Sequence, residues 1–191
     1  MAVTSTMLEL GTPAPNINLP DTVSGEAVSS VAYAGKPLLV MFICTHCPYV
    51  KHVEDELAAI GRDYGDKVGI LAVGSNDANA YPDDAPEKLK AQAERNGFTF
   101  PYLYDEGQGV AKAYTAACTP DFFLFDADHA LVYRGRLDDS RPKSDTPVTG
   151  KELRAALDAV LAGEAPERDQ NPSMGCNIKW KPGNEPEYYG A

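Results

Sequence analysis

Two cysteines stand two residues apart at Cys44 and Cys47, with Thr45 and His46 between them and Pro48 directly after. Such a pair can exchange electrons. One sulfur attacks a disulfide, and its neighbour then attacks the mixed disulfide and releases the product. The reacting species is the thiolate, and an ordinary cysteine, with a pKa near ~8.5, is mostly protonated at neutral pH. A helix N-terminus lowers that value through its partial positive charge and free N–H groups. Both cysteines are placed to use one, because the stretch from Tyr49 to Tyr64 reads as a helix and Pro48 suits its first position. His46 can add a positive charge or a hydrogen bond. Stabilising the thiolate by ~4 kcal/mol also makes the disulfide a stronger oxidant.

A cysteine pair has other uses. It can be half of a zinc site, but Cys118 and Cys176 do not repeat the spacing, and His46 and His52 show no ligand pattern. No metal is expected on this reading. Cys118 is either an auxiliary redox cysteine or packing. Cys176 is likewise a candidate auxiliary redox cysteine, and otherwise either pairs with Cys118 or stays unpaired.

The elements that must hold the pair follow from pattern. Leu38–Ile43 is continuously apolar, as in a strand buried on both faces. Val50, Val53, Leu57, Ala58 and Ile60 give the next helix its apolar stripe. Val68–Val73 is a second buried strand, Asp77–Asp84 a polar loop, and Ala85–Arg95 a helix stopped by Asn96-Gly97. Pro101–Tyr104 reads as a strand and Gly109–Ala116 as a short helix. Phe122–Phe125 and Leu131–Leu137 form a hairpin, and Lys151–Ala162 is an amphipathic helix with Leu153, Ala156, Leu157, Val160 and Leu161 on one face. Upstream, Asn16–Leu19 and Glu26–Ser29 form a small hairpin, and order is expected from about Gly11 onward. This succession predicts an α/β fold with a mixed sheet and helices on both faces. Residues 1–165 are read as the domain and 166–191 as a C-terminal extension packed on it, with Trp180 pinning the tail.

With 191 residues and 43% hydrophobic composition, the chain can bury roughly 70% of its unfolded surface and needs no disulfide staple. The net charge of −11 argues against nucleic acid and anionic membranes as partners. No apolar run approaches the ~20 residues of a membrane span, and the N-terminus lacks a signal-peptide pattern. A cytoplasmic location is expected, where thiols are kept reduced. No cofactor is called for.

The strand–CxxC–helix unit, followed by Thr119-Pro120 and the strand Asp121–Asp126, resembles the thioredoxin superfamily. The segments Phe42–His52, Ser75-Asn76-Asp77, Tyr81–Lys88 and Gly175–Pro182 are similar to its peroxiredoxin-like, AhpC/TSA-related branch. The resemblance implies a thioredoxin fold, a cis Pro120 facing the dithiol, and a substrate backbone held in extended form at Thr119. It implies a thiol–disulfide oxidoreductase with antioxidant-type chemistry, acting on a protein or small-molecule disulfide and recycled by a thiol reductant or reductase. There are departures. Ile43 stands where thioredoxins carry tryptophan, and no acidic residue occurs from Lys36 through Cys47, leaving His46 the nearest proton acceptor. In a peroxidatic register ending at Cys44 or Cys47, the required hydroxyl position holds Met41 or Cys44. Dithiol analogy makes Cys44 the first nucleophile, whereas the peroxidase alternative uses Cys47. A non-catalytic metal- or partner-binding module is the third reading.

Overall fold

The computed structural model describes residues 2–190. The chain opens with β1 (Ala2–Thr4) and a hairpin of β2 (Asn18–Pro20) and β3 (Ala27–Ser29). β4 (Leu38–Phe42), α1 (Pro48–Tyr64), β5 (Gly69–Gly74), α2 (Pro86–Asn96), β6 (Tyr102–Tyr104) and α3 (Gly109–Ala113) follow. Then come β7 (Cys118–Thr119), β8 (Asp121–Phe125), β9 (Leu131–Gly135), α4 (Lys151–Leu161) and β10 (Met174–Asn177). Five strands form one mixed sheet in the order β6-β5-β4-β8-β9. β4 lies at its centre, parallel to β5 and antiparallel to β8, which is why its sequence is an unbroken apolar run.

The strand period of two divides the core. Leu39, Met41 and Ile43 point to one face, against Val50, Val53 and Leu57 of α1, Leu89 of α2, and Leu153 and Leu157 of α4. Leu38, Val40 and Phe42 point to the other, against Ala111, Tyr114, Ile178 and Trp180. Each fully buried aliphatic side chain contributes about 1.5–3 kcal/mol. Phe42, Tyr114 and Phe123 meet at tilted or edge-on angles with centroids 5.6–5.8 Å apart. The stop expected at Asn96-Gly97 is a left-handed cap, with Gly97 at φ 65° and its N–H on the α2 carbonyls. The α4 stripe is narrower than its pattern suggests, because Leu161 is exposed.

The ends of the chain depart from expectation. Order does not begin near Gly11, since Ala2–Thr4 pairs with β10, and β10 also pairs with β7 to make a second, antiparallel sheet, β1-β10-β7. The tail therefore re-enters the fold as its own strand. No helix among the described residues is long and apolar enough to cross a membrane.

Candidate redox site

Cys44 follows the end of β4, and Cys47 is the N-cap of α1 with Pro48 as the first helical residue. The Thr119–Pro120 peptide bond, between β7 and β8, is cis. Thr119 is the hinge of the site. Its hydroxyl lies 3.2 Å from Cys44 Sγ, and its carbonyl oxygen accepts from the Cys47 thiol at 3.3 Å. Cys44, Cys47, Cys118 and Thr119 are all buried, Cys47 completely. All four cysteines are free thiols.

The sulfurs differ in proton affinity. Cys47 is pulled down to about 4, chiefly because the Cys44 thiol donates to it. Burial opposes this, while the thiol and backbone N–H of Cys176 and the Val50 N–H assist. The Val50 N–H is aimed at the Cys47 carbonyl, at 3.1 Å, so its help to the sulfur is secondary. Cys44 is pushed well up, by donating to Cys47, by burial and by the charge of Asp84, with the Thr119 hydroxyl working the other way. The bond from Cys47 to the Thr119 carbonyl belongs to the protonated state, and the bond from Cys44 to the thiolate. In the reduced site Thr119 O–H donates to Cys44, and Cys44 S–H donates to the Cys47 thiolate. Cys118 is pushed up by burial and donates weakly to the Pro120 carbonyl at 3.7 Å.

A second network sits behind the cysteines. Asp84 Oδ1 accepts from the Thr45 backbone N–H at 2.8 Å and from the Thr45 hydroxyl at 2.9 Å, and Oδ2 accepts from Asn76 Nδ2 at 2.8 Å. His46 Nδ1 lies 2.6 Å from Oδ2, too poorly aligned for a good hydrogen bond, so the contact is best described as an ion pair. Burial would raise Asp84, but His46, Asn76 and the Thr45 N–H outweigh it and hold the carboxyl below its usual range. Asp84 in turn raises His46. Gln92 Nε2 donates to the Cys44 carbonyl at 3.1 Å and to Glu54 at 2.7 Å, tying the loop to α2 and α1.

An acidic group thus comes to the site from 38 residues downstream of His46 and reaches the dithiol side through it; the sequence places Asp84 only in a polar loop. A second acid, Asp121, opens β8 opposite Phe42. It is fully buried, with the Ala117 and Phe122 N–H groups and the Ser173 hydroxyl nearby but none in ordinary bonding geometry, and burial keeps its carboxyl protonated well above the usual range.

Register and layering place both marked residues of the tail. The register puts Asn177 opposite Cys118 and Cys176 opposite Thr119, so Cys176 is turned toward the dithiol rather than toward Cys118. Trp180 packs in the opposite core layer, edge-on to Tyr188, so it pins the tail and does not cover the sulfurs. Among the described residues one group of three has metal-ligating potential: Cys44, His46 and Asp84, with donor atoms within 4.8 Å of one another.

Residues 10–134 match the model of the AhpC/TSA family. The chain belongs to the AhpC/TSA family. No curated protein matches it. Among solved structures, this AhpC/TSA chain is similar to an uncharacterized conserved protein from Geobacillus kaustophilus, at 52% identity and TM-score 0.93, over 95% of this chain and 97% of that one. A hypothetical protein from Sinorhizobium meliloti 1021 is 46% identical, with TM-score 0.90, over 93% and 98% of the two chains. The thioredoxin domain of a thiol-disulfide oxidoreductase from Bacteroides vulgatus shares the fold at 22% identity and TM-score 0.59, over 69% and 91%. The family is thus AhpC/TSA, and the fold is the one shared with that thioredoxin domain.

Proposed function

We propose that the chain is a thiol–disulfide oxidoreductase in which Cys44 and Cys47 cycle between dithiol and disulfide. The observation that carries this is the pairing of one thiolate, Cys47 at a helix N-cap, with one neutral thiol, Cys44, against a cis-proline loop. Cys47 attacks a substrate disulfide, one substrate sulfur leaves as thiolate, and a mixed disulfide forms. Cys44 then loses its proton to that leaving thiolate and attacks Cys47 Sγ. The mixed bond breaks, the Cys44–Cys47 bond forms, and the second substrate thiolate departs. The Thr119 hydroxyl steadies the negative charge that develops on Cys44. Cys47 therefore takes the nucleophilic role that dithiol analogy assigns to Cys44. Substrates are protein or small-molecule disulfides, a thiol reductant recycles the pair, and the cytoplasm is the compartment proposed.

The test is insulin-disulfide reduction driven by dithiothreitol. The wild-type chain is expected to accelerate it, and Cys44→Ser to leave the background rate. Equal rates for the two chains would count against the reading.

Peroxide reduction by Cys47 is a second reading, favoured by the family match and by the same thiolate. Hydrogen peroxide followed by sulfenic-acid trapping decides it: a trapped Cys47 supports it and an inert one argues against it. A metal-holding role would use Cys44, His46 and Asp84, and stoichiometric zinc in the reduced protein would favour it.

A further inference from the structure

β10 lies along the edge of the cis-proline loop, where Cys176 stands directly across from Thr119. Residues opposite one another in an antiparallel pair share a face, with Cβ atoms roughly 4.5–5.5 Å apart. Thr119 on that face touches both sulfurs of the pair, through its hydroxyl to Cys44 and its carbonyl to Cys47. Cys176 packs on the same core layer as Cys44 and Cys47. Cys176 also helps to hold the Cys47 thiol down. Cys44 and Cys176 are thus both packed with Cys47 in one layer.

Exposure separates those neighbours. Cys44 is 1% exposed and Cys47 0%, whereas Cys176 is only half-buried. The cysteine of this set that meets solvent is the one in the tail.

We propose that Cys176 is a third redox cysteine, which takes over the disulfide of Cys47 and presents it to an external thiol. The proposal rests on the Cys44–Cys47 couple described above. In the exchange, the Cys176 thiolate attacks Cys47 Sγ. The Cys44–Cys47 bond breaks, the Cys47–Cys176 bond forms, and Cys44 leaves as a thiolate that takes up the proton Cys176 gave up. No net oxidation occurs. An external thiolate then attacks Cys176 Sγ, forming a mixed disulfide there and freeing Cys47 as thiolate. A second external thiol attacks that mixed disulfide, leaving an external disulfide and Cys176 reduced. Burial and the neighbouring Cys47 push the Cys176 thiol up to about 11, so it attacks slowly but is a poor leaving group once bonded. External attack at Cys176 is therefore directed to expel the low-pKa Cys47.

The test is disulfide mapping by peptide mass spectrometry after equilibration in glutathione buffers, acid quench and alkylation. In Cys44→Ser the oxidised chains are expected to carry a Cys47–Cys176 bond, with Cys118 alkylated. Cys47 held as a mixed disulfide with glutathione and Cys176 free would overturn the proposal. A second measurement stays in the otherwise wild-type chain. Cys176→Ser is expected to slow reduction of the oxidised protein by glutathione by at least about tenfold. An unchanged rate would overturn the proposal whatever the behaviour of Cys44→Ser. Wild-type chains that never form the Cys44–Cys47 bond would defeat the dithiol reading itself. That bond without any Cys47–Cys176 bond in either chain would defeat only the role of Cys176.

Discussion

Cys47→Ser is expected to remove the one thiolate that the reduced protein holds at neutral pH, and with it the thiol–disulfide exchange. The wild-type sulfur, pulled down to about 4, is essentially all thiolate at pH 7. The thiol left beside it is Cys44, which burial and the charge of Asp84 still hold above the ordinary value once the Cys47 sulfur is gone, so that about 1% or less is thiolate there. Exchange with a model disulfide should therefore fall about a hundredfold or more. Ultraviolet thiolate absorbance of the reduced wild type should show a transition near pH 4 that Cys47→Ser lacks. The same group gives a pH-dependent stability. Its folded pKa is lowered, so between about 4 and the ordinary thiol value the unfolded chain binds more protons. That stabilisation is fully present above the ordinary thiol value and is lost as pH falls through about 4. The urea midpoint of the reduced wild type should rise relative to Cys47→Ser between pH 5 and pH 8. Parallel midpoints, or a thiolate transition left intact in Cys47→Ser, would show that the charge sits on another sulfur.

The second large effect is expected at Gly175, inside β10. A Cβ there would stand 1.9 Å from the Thr119 carbonyl oxygen, 2.6 Å from its carbon and 3.2 Å from Pro120 N. All three are backbone atoms of the cis-proline loop, so no side-chain rotation relieves the clash. Gly175→Ala should force β10 away from β7 and destabilise the chain by about 1–3 kcal/mol, as overpacking does. It should also uncover Cys47, which is fully buried while β10 is docked. Native-state alkylation of Cys47 by iodoacetamide, read by mass spectrometry, should accelerate about tenfold or more once the strand lifts. Unchanged alkylation with an unchanged urea midpoint would mean that β10 does not guard the site.

The parts of the molecule written in local pattern were legible before its structure. Leu38–Ile43 announced a strand buried on both faces, Pro48 the start of α1, and Asn96-Gly97 the stop of α2. The dithiol and its cis-proline loop followed from motif and resemblance, because they are strand–helix junctions with fixed local chemistry. β1 and β10 were not legible. Each has only three or four residues, Met174–Asn177 has weak strand propensity, and their partners lie far away in the chain. Long-range pairing selects them, and no periodicity records it. Asp84 escaped for the same reason: a carboxylate in a loop reads as solvated until Thr45, His46 and Asn76 are seen around it. The choice of Cys47 over Cys44 as thiolate likewise depends on which sulfur donates to which, and sequence spacing treats the two alike.

The reduction potential of the Cys44–Cys47 couple, from glutathione redox titration with mass-spectrometric readout, bears most directly on the dithiol. A reduced form stabilised as the Cys47 thiolate predicts a two-electron transition more oxidising than the roughly −270 mV of thioredoxin, toward about −120 to −200 mV. A potential below about −300 mV, the range of structural disulfides, or the absence of any Cys44–Cys47 transition, would contradict it.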